Sequence, residues 1–562
     1  MSEIFLKLRN NIVLESDLLL AEREVKALFV DCDPIKAKDS KLFKSIPQSV
    51  IISNTKPCGV IGYKVANNKI SVNKIIERLS FIQEIWADTC LCELDKGFST
   101  QALGCYCYIP LMAMSEILYY TKTPSIETAE RIVKVLAFHE DKDKEIKGAI
   151  NRIKTSAQHI HSFHTYKAKF FPRFVRSLIV SCCNNEKESL SICDPFVGSG
   201  TTLIESSLMG FHSYGIDIDP LSCFISKVKS DALNIQNNEL GMIDYNKFCS
   251  KEGVNSYTFP YDIEKKFKRW DKLDEMNEYQ NEISMILNYI DTIQSPQKDL
   301  LKIALSDALT RKFNIRMMGT GSGRFALEIG KTQLSTIIKS DIVNSIKGVK
   351  TINTIKSIYK LTTPKPIVTN GNATQRSVAD NSFDLIITSP PYIPASSGRE
   401  DYLVGKMISL KAMGLYNDDS VDFCKKNSVG SMSVESDELA EMPKEVNELY
   451  NWLLNDELRC VKAKPIIAYY KSILSSLKED ARTIRDDGKI IYIIGKETVF
   501  YSSSTKEVLY RVECDKIFSK IATQANLVVE EIIDIELDKK DNIARPRGTD
   551  KYYECAIIMK KA

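Results

Sequence analysis

The chain lacks any run of apolar residues approaching the roughly 20 needed to cross a bilayer. It also lacks an excess of one charge: 76 Lys and Arg stand against 73 Asp and Glu, for a formal net charge of +3. A dedicated basic nucleic-acid-binding domain is therefore not expected, and any such contact must come from local clusters. Histidine is scarce, with five residues at no ligand spacing, and the 15 cysteines include no C-x2-C pair. The pairs that do occur, Cys90/Cys92, Cys105/Cys107 and Cys182/Cys183, are not zinc-ribbon spacings. Other cysteines sit in apolar runs such as LSICDPF and YYECAIIM, where a free thiol behaves as a small hydrophobe. The first residues, MSEIFLKLRNNIVLESD, are broken by charge too often for a secretory signal. A membrane protein, a zinc protein and a secreted scaffold are thus set aside. The expectation is a cytoplasmic protein with no metal.

With 562 residues, 44% hydrophobic and 27% charged, the chain has room for two to four globular domains. Residues 1–150 mix strand-like runs (SVIISN, VIGYKV) with helical ones (LLLAEREVKALF, SVNKIIERLSFIQEIW, PLMAMSEILYY), an α+β pattern. Residues 151–230 alternate strand and helix with short turns, as a parallel α/β sheet does, and the pattern resumes over 362–562. Between them, 231–361 reads as a polar helical insertion with few strand signals. A second polar segment, 396–458, interrupts the later half. Near the carboxyl terminus a helix over 464–485 should lead through a Gly488 turn into the buried strand KIIYIIG, then a helix, then two strands joined by a basic loop.

The first chemical signal is LSICDPFVGSGTTLIESSLMG. A strand runs into Asp194, then Gly198 and Gly200, then a helix starting at Thr201. Glycines at such a turn let the backbone approach a ligand, and the helix presents unpaired N–H groups to it. Thr201 and Thr202 stand where a phosphate-binding loop would have Lys and Ser or Thr, which excludes that motif. Farther on, HSYGIDIDP delivers Asp217 and Asp219 to a second strand end. Asp217 is assigned to ribose hydroxyls and Asp219 to capping the helix that begins near Pro220.

DPFVGSGTT closely resembles motif I, and GIDIDP motif II, of DNA amino-methyltransferases; the upstream HSFHTYKAKFFPRFVRSLI resembles their motif X. The resemblance implies a class I, Rossmann-like α/β fold with a seven-stranded, mostly parallel sheet, and S-adenosyl-L-methionine as cofactor. It places Tyr166, Lys167 and Phe170 near the methionine end of that cofactor, with Asp194, Pro195, Phe196, Gly198, Gly200, Thr201 and Asp217 along the rest. GNATQRSVADN resembles the motif III turn, with Asn372 where an aspartate is common, so Asn372 joins the set as an adenine contact.

The second signal is NSFDLIITSPPYIP, in which a buried strand delivers Ser389, Pro390, Pro391 and Tyr392 to the sheet edge. Two successive prolines stiffen the turn and fix the direction of its carbonyls. An exocyclic amine on a base is a poor nucleophile because its lone pair is delocalised. Acceptors around its N–H groups, the Ser389 hydroxyl and the Pro390 carbonyl, would favour a pyramidal nitrogen. Tyr392 can stack on a base flipped out of double-stranded DNA. S-P-P-Y, with Ser rather than Asp or Asn first, resembles the cytosine-N4 subgroup, although its place after motifs X and I departs from the permuted order many of those enzymes have. The implied function is site-specific DNA methylation, in restriction-modification or related defence.

Within the insertion, Lys265, Lys266, Lys268 and Arg269 stand beside Phe267 and Trp270, and Arg311, Lys312, Arg316 and Arg324 follow; the pattern suits phosphate neutralisation and base stacking or, with acidic residues interleaved, a solvated helix face. The insertion and 396–458 are the candidates for target recognition. LLLAEREVKALF and ISVNKIIERLSFIQEIW faintly resemble the front of tRNA guanine-N2 methyltransferases with THUMP domains, which makes an RNA base methyltransferase the alternative. Adenine-N6 methylation of DNA is a second, and a binding-only scaffold a third.

Overall fold

A seven-stranded sheet organises most of the chain in the computed structural model. The structure describes residues 3–9, 12, 14–36, 59–66, 72–88, 108–112, 159–166, 169–183, 185, 187–245, 248, 256–317, 325–393, 404–502, 504–505, 507–536 and 552–562. In chain order the strands are β1 (Glu3–Leu8), β2 (Cys32–Lys36), β3 (Val60–Ala66), β4 (Ile82–Asp88), β5 (Tyr108–Met112), β6 (Ser191–Asp194), β7 (His212–Asp217), β8 (Phe313–Met317), β9 (Phe325–Ile329), β10 (Ile367–Asn370), β11 (Phe383–Thr388), β12 (Ile484–Gly495), β13 (Glu497–Tyr501), β14 (Val508–Glu513), β15 (Leu527–Glu536) and β16 (Tyr552–Lys561). The helices are α1 (Glu15–Leu28), α2 (Val72–Arg78), α3 (Pro172–Cys182), α4 (Thr201–Leu208), α5 (Pro220–Ala232), α6 (Tyr261–Arg269), α7 (Leu273–Asp291), α8 (Gln297–Lys312), α9 (Leu334–Tyr359), α10 (Met407–Ala412), α11 (Asp418–Asn427), α12 (Lys444–Leu454), α13 (Ala463–Thr483) and α14 (Cys514–Gln524).

The large sheet has the order β10-β7-β6-β11-β12-β16-β15. Its first five strands are parallel, while β16 runs antiparallel to both β12 and β15. This is the sheet the motif resemblance implied. Both faces are covered, so the strands can be apolar throughout. Along β12, Ile491 and Ile493 enter the core that α3, α4 and α5 cover, and Ile490, Tyr492 and Ile494 enter the core under α13 and α14, the period-two alternation of a strand. From β6 the chain turns to β7 on one side and later returns through β11 on the other, so the strand order switches between β6 and β11. A crevice opens beyond the carboxyl ends at that switch.

The amino-terminal residues form an antiparallel sheet ordered β2-β3-β1-β4-β5. They join the catalytic sheet through a shared core in which Leu20, Val25, Leu178 and Ile179 are all buried. Polar links reinforce the join: Ser177 donates to the Leu20 carbonyl at 3.3 Å, Ser16 Oγ accepts from the Glu536 N–H at 3.2 Å, and Arg23 pairs with Glu531 at 2.7 Å. Arg176 and His161 both reach Glu205, each at 2.8 Å, inside this interface. Burial lowers the His161 pKa to about 4, so the ring is neutral there near pH 7.

Several expected elements differ. The stretch read as one helix from Ser71 splits into α2 and the strand β4, and the helix expected from Pro110 begins inside β5. Strand β12 starts at Ile484, so Gly488 lies within it; a Cβ there would come 2.9 Å from the Asp384 carbonyl and 2.7 Å from Ile484. The hairpins β8–β9 and β13–β14 were not foreseen. SVIISN, the two C-x-C pairs and the loop joining β15 to β16 lie outside the described residues. Among the described residues no helix is long and apolar enough to cross a membrane, and no three His, Cys, Asp or Glu side chains cluster to hold a metal.

Candidate functional site

Strand β6 ends in the turn that starts α4. Gly198 and Gly200 there have φ of 49° and 79°, the left-handed region that costs glycine least. A side chain at Gly200 would also press on Ser226, 3.2 Å from its Cβ position. Helix α5 fixes the turn from below, Ser226 donating to the Gly198 carbonyl and the buried Lys229 to that of Ser199, both at 2.7 Å. The Thr201 hydroxyl at the helix start is buried with no partner.

At the end of β7, Asp217 accepts the Gly198 N–H on Oδ2 and the Asp219 N–H on Oδ1, both at 2.9 Å. The two backbone bonds orient the carboxylate and leave each oxygen a further lone pair. Burial, then the neighbouring Asp219, push its pKa up to about 6. Asp219 caps α5, accepting from Leu221 N at 2.9 Å and Ser222 Oγ at 2.7 Å, as the sequence led us to expect. Burial opposes charge on Asp219, but the ammonium of Lys406 together with the Ser222 and Leu221 hydrogen bonds holds the carboxyl below its usual range.

Tyr166 lies over the turn, its ring 3.4 Å from where a Cβ on Gly198 would stand, and its hydroxyl is 2.9 Å from Ser222 Oγ. Lys406 sits 4.6 Å from that ring's centre and donates to Asp219. Phe170 packs against the main core as a half-buried side chain, and Lys167 lies outside the described residues. Pro195 is buried and Phe196 packs on the second core. Asn372 lies in the turn after β10, its Oδ1 accepting the N–H and hydroxyl of Thr374 at 3.0 and 2.9 Å. Next to it a cavity of about 370 Å³ opens, lined on one side by Ile218, Asn370 and Asn372.

The S-P-P-Y turn leaves β11 beside the glycine turn. Thr388 donates to Asp194 Oδ1 at 2.6 Å, and the Phe196 N–H reaches the same oxygen at 3.1 Å. Asp194 therefore ties the two strand ends together, and burial pushes its pKa up to about 6. The Pro391 carbonyl accepts from Tyr469 at 3.0 Å. Tyr392 donates to Glu554 at 2.7 Å, its ring 3.8 Å from the Cβ position of Gly495. Among the described residues, nothing hydrogen-bonds the Ser389 hydroxyl. Burial raises the pKa of Glu554, and the Tyr392 hydroxyl opposes the rise.

Lys406, Glu554 and the far wall of the cavity were missed in the sequence. Each lies in a polar or strand segment with no motif, and only the folded sheet brings them to the site. The insertion corrects another expectation. Phe267 is buried among Phe259, Tyr279 and Trp270, and Lys266 donates to the Phe325 carbonyl at 2.6 Å. Buried Lys312 donates to the carbonyls of Gly330 and Thr332, and Arg311 pairs with Asp307 and Asp341. Phe267, Lys266 and Lys312 thus hold the insertion together, while Arg311, though paired, stays exposed. Lys265, Lys268, Arg269 and Trp270 are exposed, while Arg324 lies outside the described residues.

Residues 66–227 match the model of a DNA methylase family. That span holds motifs X, I and II and ends before S-P-P-Y. Over 134 residues the chain is 34% identical to the type II methyltransferase M.MjaII of Methanocaldococcus jannaschii, covering 23% of this chain and 24% of that protein. Over 370 residues it is 22% identical to the type II methyltransferase M.MvaI of Kocuria varians, covering 62% of this chain and 79% of that protein. A solved S-adenosylmethionine-dependent methyltransferase from Methanosarcina mazei aligns over 67% of this chain and 93% of its own, with 10% identity and a TM-score of 0.24. The chain thus spans about a quarter of the length of M.MjaII. The resemblance to DNA amino-methyltransferases read from the motifs is borne out by the family match and these relatives.

Proposed function

We propose that the chain is an S-adenosyl-L-methionine-dependent DNA methyltransferase of the restriction-modification type, acting on the exocyclic N4 amine of cytosine. One observation carries the reading: the Thr388–Asp194 bond joins the S-P-P-Y turn to the strand end that bears the glycine turn, so cofactor and base sites share one edge. The cofactor side fits its ligand. A positive-φ turn allows close backbone approach, Asp217 offers oriented acceptors to ribose hydroxyls, the buried Thr201 hydroxyl is unpartnered, and Tyr166 roofs the turn. Bound there, the cofactor supplies an electrophilic methyl group on a sulfonium.

This chain's own residues do the rest by orientation. The Ser389 hydroxyl and Pro390 carbonyl accept the two amine N–H bonds and turn the lone pair toward the methyl carbon. Tyr392, held by Glu554, offers its ring to a flipped base. A methyl group supplied by the bound cofactor would pass directly to that nitrogen, whose surplus proton would go to solvent, so no covalent intermediate on this chain is required. Serine at the head of S-P-P-Y favours cytosine over adenine. Residues 151–230 with 362–562 make the catalytic domain, and the exposed Lys265, Lys268, Arg269 and Trp270 of 231–361 make that insertion the candidate for phosphate and target contacts.

Incubation with methyl-labelled cofactor and genomic DNA, followed by nucleoside digestion, tests this. N4-methylcytosine at one short sequence is expected, with transfer falling steeply as salt rises. N6-methyladenine would reassign the base, and label confined to tRNA would overturn the reading.

A further inference from the structure

We propose that Asp307, on α8 of the insertion, is a positioning residue for the cofactor site: it fixes the backbone that carries Tyr166 over the glycine turn. The inference rests on the functional reading above. Tyr166 covers the turn, its ring 3.4 Å from the Cβ position of Gly198. The residue before it, Thr165, is exposed, so packing of its side chain does not hold the backbone there. Hydrogen bonds do so instead. The Thr165 N–H donates to Asp307 Oδ1 at 2.5 Å, and the Thr165 carbonyl accepts from His164 Nδ1 at 2.9 Å.

The neighbours of Asp307 on α8 serve the same cover. A carbonyl only accepts, so His164 Nδ1 carries the proton of its ring. Burial lowers the His164 pKa to about 4, the ring is neutral near pH 7, and its Nε2 accepts from the Ser306 hydroxyl at 3.0 Å. The Ser306 carbonyl accepts from Ser409 at 3.1 Å, and the Thr310 hydroxyl lies 3.3 Å from that of Ser409. Ser409 belongs to α10, which follows Lys406, and the Lys406 ammonium stands 4.6 Å from the centre of the Tyr166 ring. Ser306, Asp307 and Thr310 lie within about one turn of α8. That turn thus holds both the segment bearing Tyr166 and the segment bearing Lys406. Asp307 is itself buried, and its Oδ2 meets Arg311 Nε, four residues on, at 3.1 Å. Its own helix therefore aims the carboxylate at Thr165. The insertion, the candidate for target contacts, is in this way also a structural part of the cofactor site.

A double-mutant cycle, read by titration calorimetry of the full chain with S-adenosylhomocysteine, tests this without turnover. Asp307→Ala should weaken binding about tenfold, the scale of one hydrogen bond to a charged group. Asp307→Asn keeps an oxygen for the Thr165 N–H and should recover most of that loss. Tyr166→Ala should weaken binding too, and adding Asp307→Ala to it should weaken it no further, because the ring that Asp307 positions is gone. A residue that only stabilised the fold would give additive losses. Ser306→Ala, a smaller change, should lower affinity in the parent but not in Tyr166→Ala, and it carries the same cycle if Asp307→Ala does not fold. Parent affinity in Asp307→Ala or in Tyr166→Ala, no recovery in Asp307→Asn, or additive losses in the double variant would overturn the proposal. A parent chain that binds no S-adenosylhomocysteine would instead bring down the functional reading on which it rests.

Discussion

The two sides of the sheet's carboxyl edge are assembled over different distances in the chain. On the β6–β7 side, the bonds that shape the glycine turn are near in sequence: Gly198 and Asp217 are 19 residues apart, Ser226 and Gly198 28, and Lys229 and Ser199 30. On the β11–β12–β16 side they are distant: Tyr469 meets Pro391 across 78 residues, and Tyr392 meets Glu554 across 162. One βαβ unit can build that turn by itself, and Lys406 is added to it across 187 residues. The second requires the complete sheet, because Glu554 reaches Tyr392 only through the pairing of β16 with β12. If the first side holds the cofactor and the second the base, as proposed, the two should therefore be separable by mutation.

The largest expected effect is on the base side. Ser389→Ala should lower the transfer rate by about 100-fold or more, the scale for removing one oriented hydrogen-bonding group at a reacting centre. Cofactor affinity measured by calorimetry should stay within a factor of two or so. A parallel fall in both would mean that the two sides are not separable. Next in size is Asp217→Ala, which should weaken cofactor binding by about 1.5–3 kcal/mol. Transfer at saturating cofactor should then approach the parent rate; a low rate even at saturation would show Asp217 acting on the chemistry.

That contrast also sets what was legible in the sequence. DPFVGSGTT, GIDIDP and S-P-P-Y each encode a strand, a turn and a helix or stiff loop in a few residues. Their placement, and even Asp219 as a cap before Pro220, could be read directly. Glu554 could not: YYECAIIM reads only as a buried strand, and nothing in it names Tyr392 as a neighbour. Lys406 sits in a polar stretch whose packing against α5 and the end of β7 is tertiary. Strand β4 was hidden because SFIQEIW continues the apolar spacing of the helix before it. Three of the basic and aromatic residues of α6 and α8 misled for the opposite reason: Phe267 is buried, and Lys266 and Lys312 direct their ammonium groups to backbone carbonyls.

Asp194 and Thr388 bridge the two sides, so breaking that bond should touch both. Thr388→Val removes a donor from a buried carboxylate, at about 1–3 kcal/mol. Because burial holds the Asp194 pKa near 6, its contribution to stability is fully present below the ordinary aspartate range and is lost as pH rises through about 6. The Thr388 bond opposes that loss by favouring the charged form. Urea denaturation should therefore show Thr388→Val more destabilised at pH 8 than at pH 4. An equal deficit at both values would mean that the bond does not discriminate between the two forms of Asp194.

The smallest effect should come from Glu554, which touches the reaction only through Tyr392. Glutamine keeps an acceptor for the Tyr392 hydroxyl, so Glu554→Gln should cost no more than about 0.5–1.5 kcal/mol in transfer, the net worth of one hydrogen bond. Its signature should lie in the pH dependence. A carboxylate accepts a stronger bond than a carboxylic acid does. Since burial raises the Glu554 pKa, Tyr392's anchor in the parent should weaken, and activity fall by a similarly modest factor, on acidification at a pH above the ordinary glutamate range. The amide does not titrate, so that acid limb should flatten in Glu554→Gln, while Glu554→Leu should be slow at every pH. Cofactor affinity should be unchanged in both variants, as expected for a group on the base side. An acid limb identical in the parent and in Glu554→Gln would assign the titration elsewhere, with Asp217 and Asp194, both near 6, as the groups to examine next.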